Sequence, residues 1–198
     1  MKPAMRANNR NDALLDGAAE LFAKRGYQAS TIREIGKSCG MLPGSVYYHY
    51  PNKDALLAAV YEEGVRRLTD RVEAALEGIE DPWLRLEHAL ATHVAMIIEP
   101  TAYASVIIRI LPDAAPAVAA RLIELRNRYE RIIASLVEDL PLAPDADRRL
   151  LRLLLIGAAN HAPVWRRPDG DAGPEDIART LLAMARGLAP QTSRGGDP

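Results

Sequence analysis

Apolar positions recur at helical spacing along almost the whole chain. In the first helical stretch they lie three and four positions apart, at Leu14, Leu15, Ala18, Ala19, Leu21 and Phe22. This spacing predicts an amphipathic helix that starts near the cap candidates Asn9 and Asn11 and stops at Gly26. Because one face of such a helix is apolar, that face must pack against other elements.

Two short helices are predicted next. Ser30 precedes the segment TIREI and can cap a second helix that stops at Gly40. Pro43 suits the first turn of a third helix, because its missing N–H needs no partner there. This third helix is expected to run to about Tyr50, where a proline follows and breaks the chain.

Longer helical patterns occupy the remainder of the chain. An apolar repeat without internal proline predicts a helix from Lys53 to about Gly78. Prolines separate five further helical segments, at 83–99, 103–111, 116–140, 145–165 and 174–188. No segment forms a convincing strand, so we predict an all-α fold.

Composition excludes several classes of protein. The 198 residues are 48% apolar and 5% aromatic, which is typical of a globular protein. The longest apolar run, 153–159, is far shorter than the roughly 20 residues of a membrane span, so we expect no membrane protein. The first residues lack the apolar stretch of a secretory signal, and the single cysteine, Cys39, cannot form an internal disulfide. We therefore expect a cytoplasmic location.

The net charge of −1 conceals two differently charged segments. Residues 1–57 carry 8 Lys plus Arg against 5 Asp plus Glu, or +3, and include all four lysines. Residues 58–198 carry 17 against 21, or −4. This asymmetry indicates two modules with different partners, which we place at residues 1–57 and 58–198.

The second and third predicted helices have the dimensions of a helix-turn-helix, whose second helix enters the major groove of DNA. Small Gly44 lets the start of that helix approach base edges closely. Side chains that donate hydrogen bonds are concentrated in the segment PGSVYYHYPNK, at Ser45, Tyr47, Tyr48, His49 and Lys53. For Tyr27, Val46 and Tyr50 we prefer a role in the core of a small three-helix unit.

The stretch GYQASTIREIGKSCGMLPGSVYYHYPNKDALL, residues 26–57, resembles without a gap the DNA-binding domain of the TetR family of bacterial transcriptional regulators. The resemblance implies phosphate contacts from Thr31, Tyr47, His49 and Lys53. It also implies contacts to base edges from Arg33, Pro43, Gly44, Ser45 and Tyr48. Double-stranded operator DNA is therefore the expected partner.

Two positions depart from the family pattern. Leu42 stands where a serine or similar cap is usual, and Gly36 stands where alanine is usual. A lost N-cap and a glycine inside a helix each cost about 1 kcal/mol. We therefore expect the three-helix DNA-binding unit at residues 1–57, the reading head, to be slightly less stable than is typical of the family. Cys39 lies near the apolar side of the second helix and is interpreted as a packing residue.

Leucines surround the predicted helix at 145–165 almost completely, so that it must be buried on both sides. Small residues at 157–159 allow close helix packing, and the last helix supplies Ile177, Leu181, Leu182, Met184 and Leu188. We predict that these two helices form a four-helix dimer interface, with an ordinary monomer core as the alternative. The charged run Arg126, Arg128, Glu130 and Arg131 is interpreted as a solvated helix face.

The segments LPDAAPAVAARLIELRNRYERI and NHAPVWRRPDG resemble a branch of the family in which several members respond to acyl-CoA thioesters. The resemblance makes Asn160 and Trp165 pocket or interface candidates and offers Arg166 and Arg167 to the CoA moiety. His161 replaces the tryptophan of the branch, and Arg166 replaces its tyrosine, so the pattern is kept only in part.

Further pocket candidates are His93, Met96, Tyr103 and Arg109, each with core packing as the alternative. His161 adds to this set, giving ligand candidates at His93, Met96, Tyr103, Arg109, Asn160, His161, Trp165, Arg166 and Arg167. His88 and His93 are five residues apart and do not share a helical face, so we expect no metal, and no cofactor is implied.

These features together predict a homodimeric transcriptional regulator, a repressor that leaves a palindromic operator when a small apolar ligand binds, with the acyl-CoAs of fatty-acid or sterol breakdown as the suspected class. The same fold could instead sense a lipophilic drug or another metabolite. A helical-bundle enzyme is disfavoured because no GxSxG, HExxH, GxGxxG or P-loop spacing occurs. A purely architectural DNA-binding protein is disfavoured by the acidic, pocket-sized second module.

Overall fold

The structure is a computed structural model that describes residues 3–165 and 172–189, with side chains described from Arg10 onward. Helices make up its regular structure, and no strand occurs in these two ranges, so the predicted all-α fold is confirmed. The helices are α1 (Pro3–Arg25), α2 (Ile32–Ser38), α3 (Pro43–His49), α4 (Lys53–Ala75), α5 (Pro82–Ile98), α6 (Ala102–Arg109), α7 (Ala119–Glu138), α8 (Arg148–Asn160), α9 (Ala162–Trp165) and α10 (Pro174–Arg186). Two turns of 3-10 helix, Pro112–Ala114 and Pro116–Val118, precede α7.

The first helix starts earlier than the sequence pattern predicts. It begins at Pro3, so neither Asn9 nor Asn11 caps it. Good helix formers such as Ala and Met follow Pro3, which itself suits a first helical turn.

The N-cap of α2 lies one residue later than the sequence pattern predicts. Thr31, rather than Ser30, is its N-cap, because only Thr31 has a glutamate three residues later to complete a capping box.

The single helix predicted over 145–165 is interrupted. Helix α8 ends at Asn160, His161 is its C-cap, and the one-turn helix α9 follows. Pro163 explains the break, because its ring lacks an N–H and clashes with the carbonyl four residues earlier in a continuous helix. The other predicted helices occur within a few residues of their expected ends.

The chain forms two compact units. Unit 1 comprises residues 1–70 and 99–129, and unit 2 comprises residues 71–98 and 130–198. In unit 1, α1 packs against α2 and α6, and α2 packs against α3. Its core contains the fully buried side chains Phe22, Ile35, Val46 and Tyr61.

Unit 2 is organised around α5. This helix packs against α10, α8 and α9, and its buried Val94 forms a cluster with Ala159, Ala162 and Ile177. Small alanines at the contact let the helix axes approach closely. Among the described residues, no single helix is long and apolar enough to cross a membrane. Helices α5 and α6 reach that length and apolar content only together, and the chain bends by 90° between them.

Candidate functional site

The turn between α2 and α3 is tightly defined. Gly40 has a φ of +65°, a left-handed conformation that glycine adopts without steric cost. The Met41 N–H donates to the Gly36 carbonyl at 2.7 Å, and the Leu42 carbonyl accepts from the Ser45 N–H at 2.9 Å. Ile35 of α2 and Val46 of α3 are completely buried. The two helices therefore form a fixed helix-turn-helix.

Gly36 makes the close approach of the turn possible. A Cβ at this position would lie 2.9 Å from the Met41 carbonyl oxygen and 3.2 Å from Cγ2 of Val46. The first distance is shorter than real Cβ contacts allow, so alanine would push the turn away from α2. Glycine at position 36 disfavours the helix, but the packing of the turn against α2 requires it.

Thr31 closes the N-terminus of α2 in a capping box. Its hydroxyl accepts from the Glu34 N–H at 3.2 Å and donates to Glu34 Oε2 at 2.8 Å, while Glu34 also accepts from the Thr31 N–H. Arg25 of α1 pairs with the same carboxylate at 2.9 Å. The hydrogen bond from Thr31 and the charge of Arg25 lower the pKa of Glu34. The only proton of the Thr31 hydroxyl is thus donated to Glu34, so the predicted phosphate contact of Thr31 would have to replace this hydrogen bond.

The surface of α3 carries most of the predicted DNA contacts. Tyr47 is 54% exposed and Tyr48 is 88% exposed. The rings of Tyr48 and His49 lie edge to face, with their centres 5.6 Å apart. The remaining predicted base-edge residues, Arg33, Pro43, Gly44 and Ser45, are exposed as well. A Cβ at Gly44 would meet nothing within 4 Å, so this part of α3 is open to a partner. The structure therefore groups the predicted base-edge residues on an accessible helix-turn-helix.

Lys53 has a more internal position than a phosphate contact alone requires. Its ammonium donates to the carbonyls of Tyr27 at 2.9 Å, Ser30 at 3.0 Å and Gln28 at 3.4 Å, and it lies 4.3 Å from the centre of the Tyr27 ring. An ammonium has three N–H donors, so these carbonyls use all of them. Lys53 consequently ties the start of α4 to the turn between α1 and α2.

The predicted core tyrosines hold the same unit together. Tyr27 is buried, and its hydroxyl donates to Asp54. Burial and the neighbouring carboxylate of Asp54 raise the pKa of Tyr27. Tyr50 is half-buried and donates to Asn11 Oδ1 at 2.9 Å. The predicted core role of Tyr27 and Val46 is thus confirmed by their burial, while Tyr50 lies at the edge of that core.

The predicted ligand residues lie in both units. His93, Met96, Asn160, His161 and Trp165 belong to unit 2, and Tyr103 and Arg109 belong to unit 1; Arg166 and Arg167 lie outside the described residues. In unit 2, buried His93 lies with Nε2 3.2 Å from Asn160 Oδ1. Burial lowers the pKa of His93. Met96 is buried too, whereas His161 and Trp165 are exposed.

Tyr103 connects α6 to α1. Its hydroxyl donates to Asp16 Oδ1 at 2.8 Å, and the Arg67 guanidinium lies 4.2 Å from the centre of its ring. Burial and the Asp16 carboxylate raise the pKa of Tyr103. Arg109, the other unit 1 candidate, is exposed and donates to the Ala23 carbonyl near the end of α1. Both residues therefore contact the helix that supports the reading head.

Sequence reasoning missed Arg126 as part of this arrangement. Its Nη1 donates to the Tyr61 hydroxyl and to the Ile107 carbonyl, each at 3.1 Å. The interpretation of Arg126 as a solvated residue is therefore wrong, because the arginine satisfies a carbonyl near the C-terminal end of α6. Its partners are 65 and 19 residues away, so no helical spacing could have shown the contact.

An apolar surface covers α8 and α10 of unit 2. Along α8, Leu151 and Leu155 are buried but Leu150, Leu153 and Leu154 are exposed, Leu154 at 63%. A Cβ at Gly157, one turn further, would meet nothing within 4 Å. Met184 of α10 and Val164 of α9 are also largely exposed. One chain thus buries one side of α8 and leaves the other side open.

Within the described residues, no three metal-ligating side chains converge. The candidate functional features are therefore the exposed helix-turn-helix in unit 1 and the interior and apolar surface of unit 2.

Two family profiles match the chain. Residues 14–60 match the profile described as "Bacterial regulatory proteins, tetR family", and residues 80–189, more than half of the chain, match "Tetracyclin repressor-like, C-terminal domain". The HTH-type transcriptional repressor KstR2 of Mycolicibacterium smegmatis is 28% identical over 188 residues, which cover 90% of each chain.

Solved structures share the fold. AibR, in complex with isovaleryl coenzyme A and operator DNA, has a TM-score of 0.71 at 23% identity, covering 88% of this chain and 97% of its own. The regulator FadR of Bacillus subtilis, in complex with stearoyl-CoA, has a TM-score of 0.75 at 19% identity, covering 88% and 96%.

Proposed function

The chain belongs to the TetR family of bacterial transcriptional regulators, and we propose that it is a homodimeric repressor released from a pseudo-palindromic operator by an acyl-CoA. It is a ligand-responsive DNA-binding regulator and not an enzyme. The observation that carries the DNA-binding role is the exposed α3 on a fixed turn, within the segment that matches the family profile. Residues 1–57 read DNA, residues 58–198 bind ligand and dimerise, and the regulator acts in the cytoplasm, where bacterial DNA lies.

The proposed DNA contacts follow the geometry of α2 and α3. Arg33, Pro43, Gly44, Ser45 and Tyr48 face base edges, and Thr31, Tyr47, His49 and Lys53 contact phosphates. Tyr47 is the strongest candidate for a phosphate contact, because its side chain is exposed. Lys53 would have to exchange one of its three bonds to backbone carbonyls for a bond to phosphate. Loss of Lys53 would therefore reduce folding and DNA binding together.

DNA binding is tested with duplexes selected by the full-length protein from a random-sequence library. We expect two half-sites with centres about 34–36 Å apart, and an affinity that falls as salt concentration rises. Tyr47→Phe should weaken binding to selected and unrelated duplexes alike, by about 2- to 10-fold for each hydrogen bond lost, one in each subunit.

Tyr50→Phe is the matched control, because its hydroxyl bonds Asn11 within the protein. Failure of the library to yield any enriched sequence would contradict the proposed function. A loss in Tyr47→Phe that depends on one base pair would contradict its phosphate role.

Dimerisation is supported by the apolar surface of α8 and α10. Leu150, Leu153 and Leu154 remain exposed in one chain, and Gly157 leaves room for a second backbone beside them. A two-fold symmetric partner would present the same surface and cover both. This arrangement would also bury the second side of α8, as its leucine-rich sequence requires.

The ligand class is supported by resemblance and by chemistry. KstR2 is similar over most of the chain, and two proteins of the same fold are bound to acyl-CoA thioesters. In this chain, Arg166 and Arg167 offer two positive charges to the CoA phosphates. Buried His93 offers a polar group inside unit 2, and exposed Asn160, 3.2 Å from it, offers an amide at the surface.

The ligand is tested by thermal unfolding and DNA release with stearoyl-CoA and isovaleryl-CoA. A thioester that binds the folded protein should raise Tm in proportion to ln(1 + [L]/Kd) and release DNA. CoA alone and stearate alone are the controls. The double variant Arg166→Ala, Arg167→Ala should lose the response to thioesters. Release by stearate alone would instead indicate a sensor of other lipophilic compounds.

A further inference from the structure

Leu42 is a large apolar side chain that the free protein leaves in water. It is 77% exposed at the N-cap of α3, a position where its side chain makes no cap hydrogen bond. Scattered exposed leucines are common, so exposure by itself indicates little. The surroundings of Leu42 are more informative, because they fix its backbone and leave its side chain accessible.

The backbone of Leu42 is held in place from both sides. Its carbonyl accepts from the N–H groups of Ser45 at 2.9 Å and Val46 at 3.3 Å, and the preceding residue donates to Gly36. The missing Cβ of Gly36 lets the turn lie against α2. Leu42 therefore projects from a rigid support, and contact with a partner would cost little backbone entropy.

The chemistry of the neighbouring residues indicates which partner meets this side chain. Pro43, Gly44 and Ser45 follow directly and are exposed, and no acidic residue lies in the first turn of α3. These are the residues that face base edges under the proposed function, on which this inference rests. In the major groove, the apolar group that a base pair presents is the 5-methyl group of thymine.

We propose that Leu42 is a specificity-determining residue that packs against the 5-methyl group of one thymine in each half-site. The contact removes apolar surface of both groups from water and requires no hydrogen bond. A serine at this position could cap α3 but could not make this contact. Leu42 thus exchanges a helix cap for base selectivity.

The test uses the wild-type protein and a duplex that it selects from a random-sequence library. Each thymine of the half-site is replaced in turn by deoxyuridine, symmetrically in both half-sites, which removes only the 5-methyl group. At one position we expect affinity to fall about fourfold for each methyl group lost, the amount that one buried CH₂ contributes. Leu42→Ala should bind the thymine and deoxyuridine duplexes equally.

Leu84→Ala is the matched control, because Leu84 is an exposed leucine of unit 2 and should leave the thymine preference intact. Circular dichroism melts check that Leu42→Ala folds. Specific binding that is indifferent to every deoxyuridine overturns the assignment, and so does a methyl preference that survives in Leu42→Ala. Absence of any sequence-selective binding by the wild type would overturn the proposed function, and this assignment with it.

Discussion

Leu42 places stability and recognition in opposition at a single residue. Its backbone, with φ −73° and ψ 147°, already has the extended conformation of an N-cap, but its side chain cannot accept from the first N–H groups of α3. A polar residue at this position would therefore need no rearrangement of the turn.

Leu42→Ser should raise the free energy of unfolding by about 1 kcal/mol, because the hydroxyl supplies the missing cap. Chemical denaturation at fixed protein concentration measures the change. Leu42→Ala removes the same apolar group without adding an acceptor and should give no such gain. Equal stability of the serine and alanine variants would contradict the capping argument.

The ionisation of Glu63 depends on two neighbouring arginines that bond its carboxylate. Its carboxylate accepts from Arg66 Nε at 2.8 Å and from Arg67 Nε at 2.7 Å. These two guanidinium groups, Arg66 first, lower the pKa of Glu63 to about 2 despite the opposing effect of burial. A carboxyl with a lowered pKa in the folded state stabilises the fold only while it is ionised.

The stabilisation from Glu63 should be complete above about pH 4.5, the ordinary value for this group, and should be lost as pH falls towards about 2. Thermal unfolding of wild type and Glu63→Gln between pH 7 and pH 2.5 measures it, as a difference in stability that narrows with acidification. Glu77→Gln, at an exposed acid, is the control. A constant difference across this range would show that the carboxylate charge is not involved.

At the scale of elements, α6 and α1 are joined by polar contacts. Tyr103 and Arg109 of α6 bond Asp16 and Ala23 of α1, and Arg67 of α4 pairs with the same Asp16. Gly64 lets α4 approach this region, because a Cβ there would lie 2.9 Å from Cδ1 of Ile107. These contacts connect the first helix of the reading head to helices further along the chain.

Tyr103→Phe should lower the free energy of unfolding by about 1 kcal/mol, because it removes one hydrogen bond to a carboxylate and leaves the packing unchanged. Urea denaturation measures this loss. Tyr47→Phe removes a hydroxyl of the same kind from an exposed side chain and should leave stability unchanged while weakening DNA binding. If both variants unfold like the wild type, the Tyr103–Asp16 contact contributes nothing.

These examples also indicate how far sequence reasoning reaches. The helices, the helix-turn-helix and the burial of Val46 follow from local spacing, and the structure agrees with them. Bonds such as Tyr103 with Asp16, or Lys53 with the carbonyl of Tyr27, join residues 87 and 26 positions apart. No local pattern selects one such partner among the many of similar chemistry.

At the scale of the whole molecule, positive charge and exposed apolar surface lie in different parts of the sequence. The surplus of lysine lies in residues 1–57, which include the exposed helix-turn-helix, and the acidic remainder includes the apolar surface of α8 and α10. The net charge of −1 is therefore the sum of +3 in residues 1–57 and −4 in residues 58–198. A reader with so modest a positive charge depends on the geometry of two linked heads as well as on charge.

Leu154→Arg should convert the dimer into monomers, because a guanidinium would be buried without a partner in a symmetric apolar interface. Sedimentation velocity measures the change in mass, and affinity for the selected duplex should fall by at least tenfold when the two heads are separated. Leu84→Arg places the same charge at another exposed leucine of unit 2, 45% exposed, and should remain dimeric. A dimer in both variants would locate the interface elsewhere.

The sequence alone determined that this protein is all helical, where most helices lie and where the helix-turn-helix lies, because helix period, caps and turn glycines act between residues a few positions apart. Only the tertiary structure decided that Gly36 admits the turn, that Arg126 supports α6 and that one side of α8 stays exposed. These outcomes depend on which surfaces meet when the helices pack, and packing joins residues that are far apart in the chain.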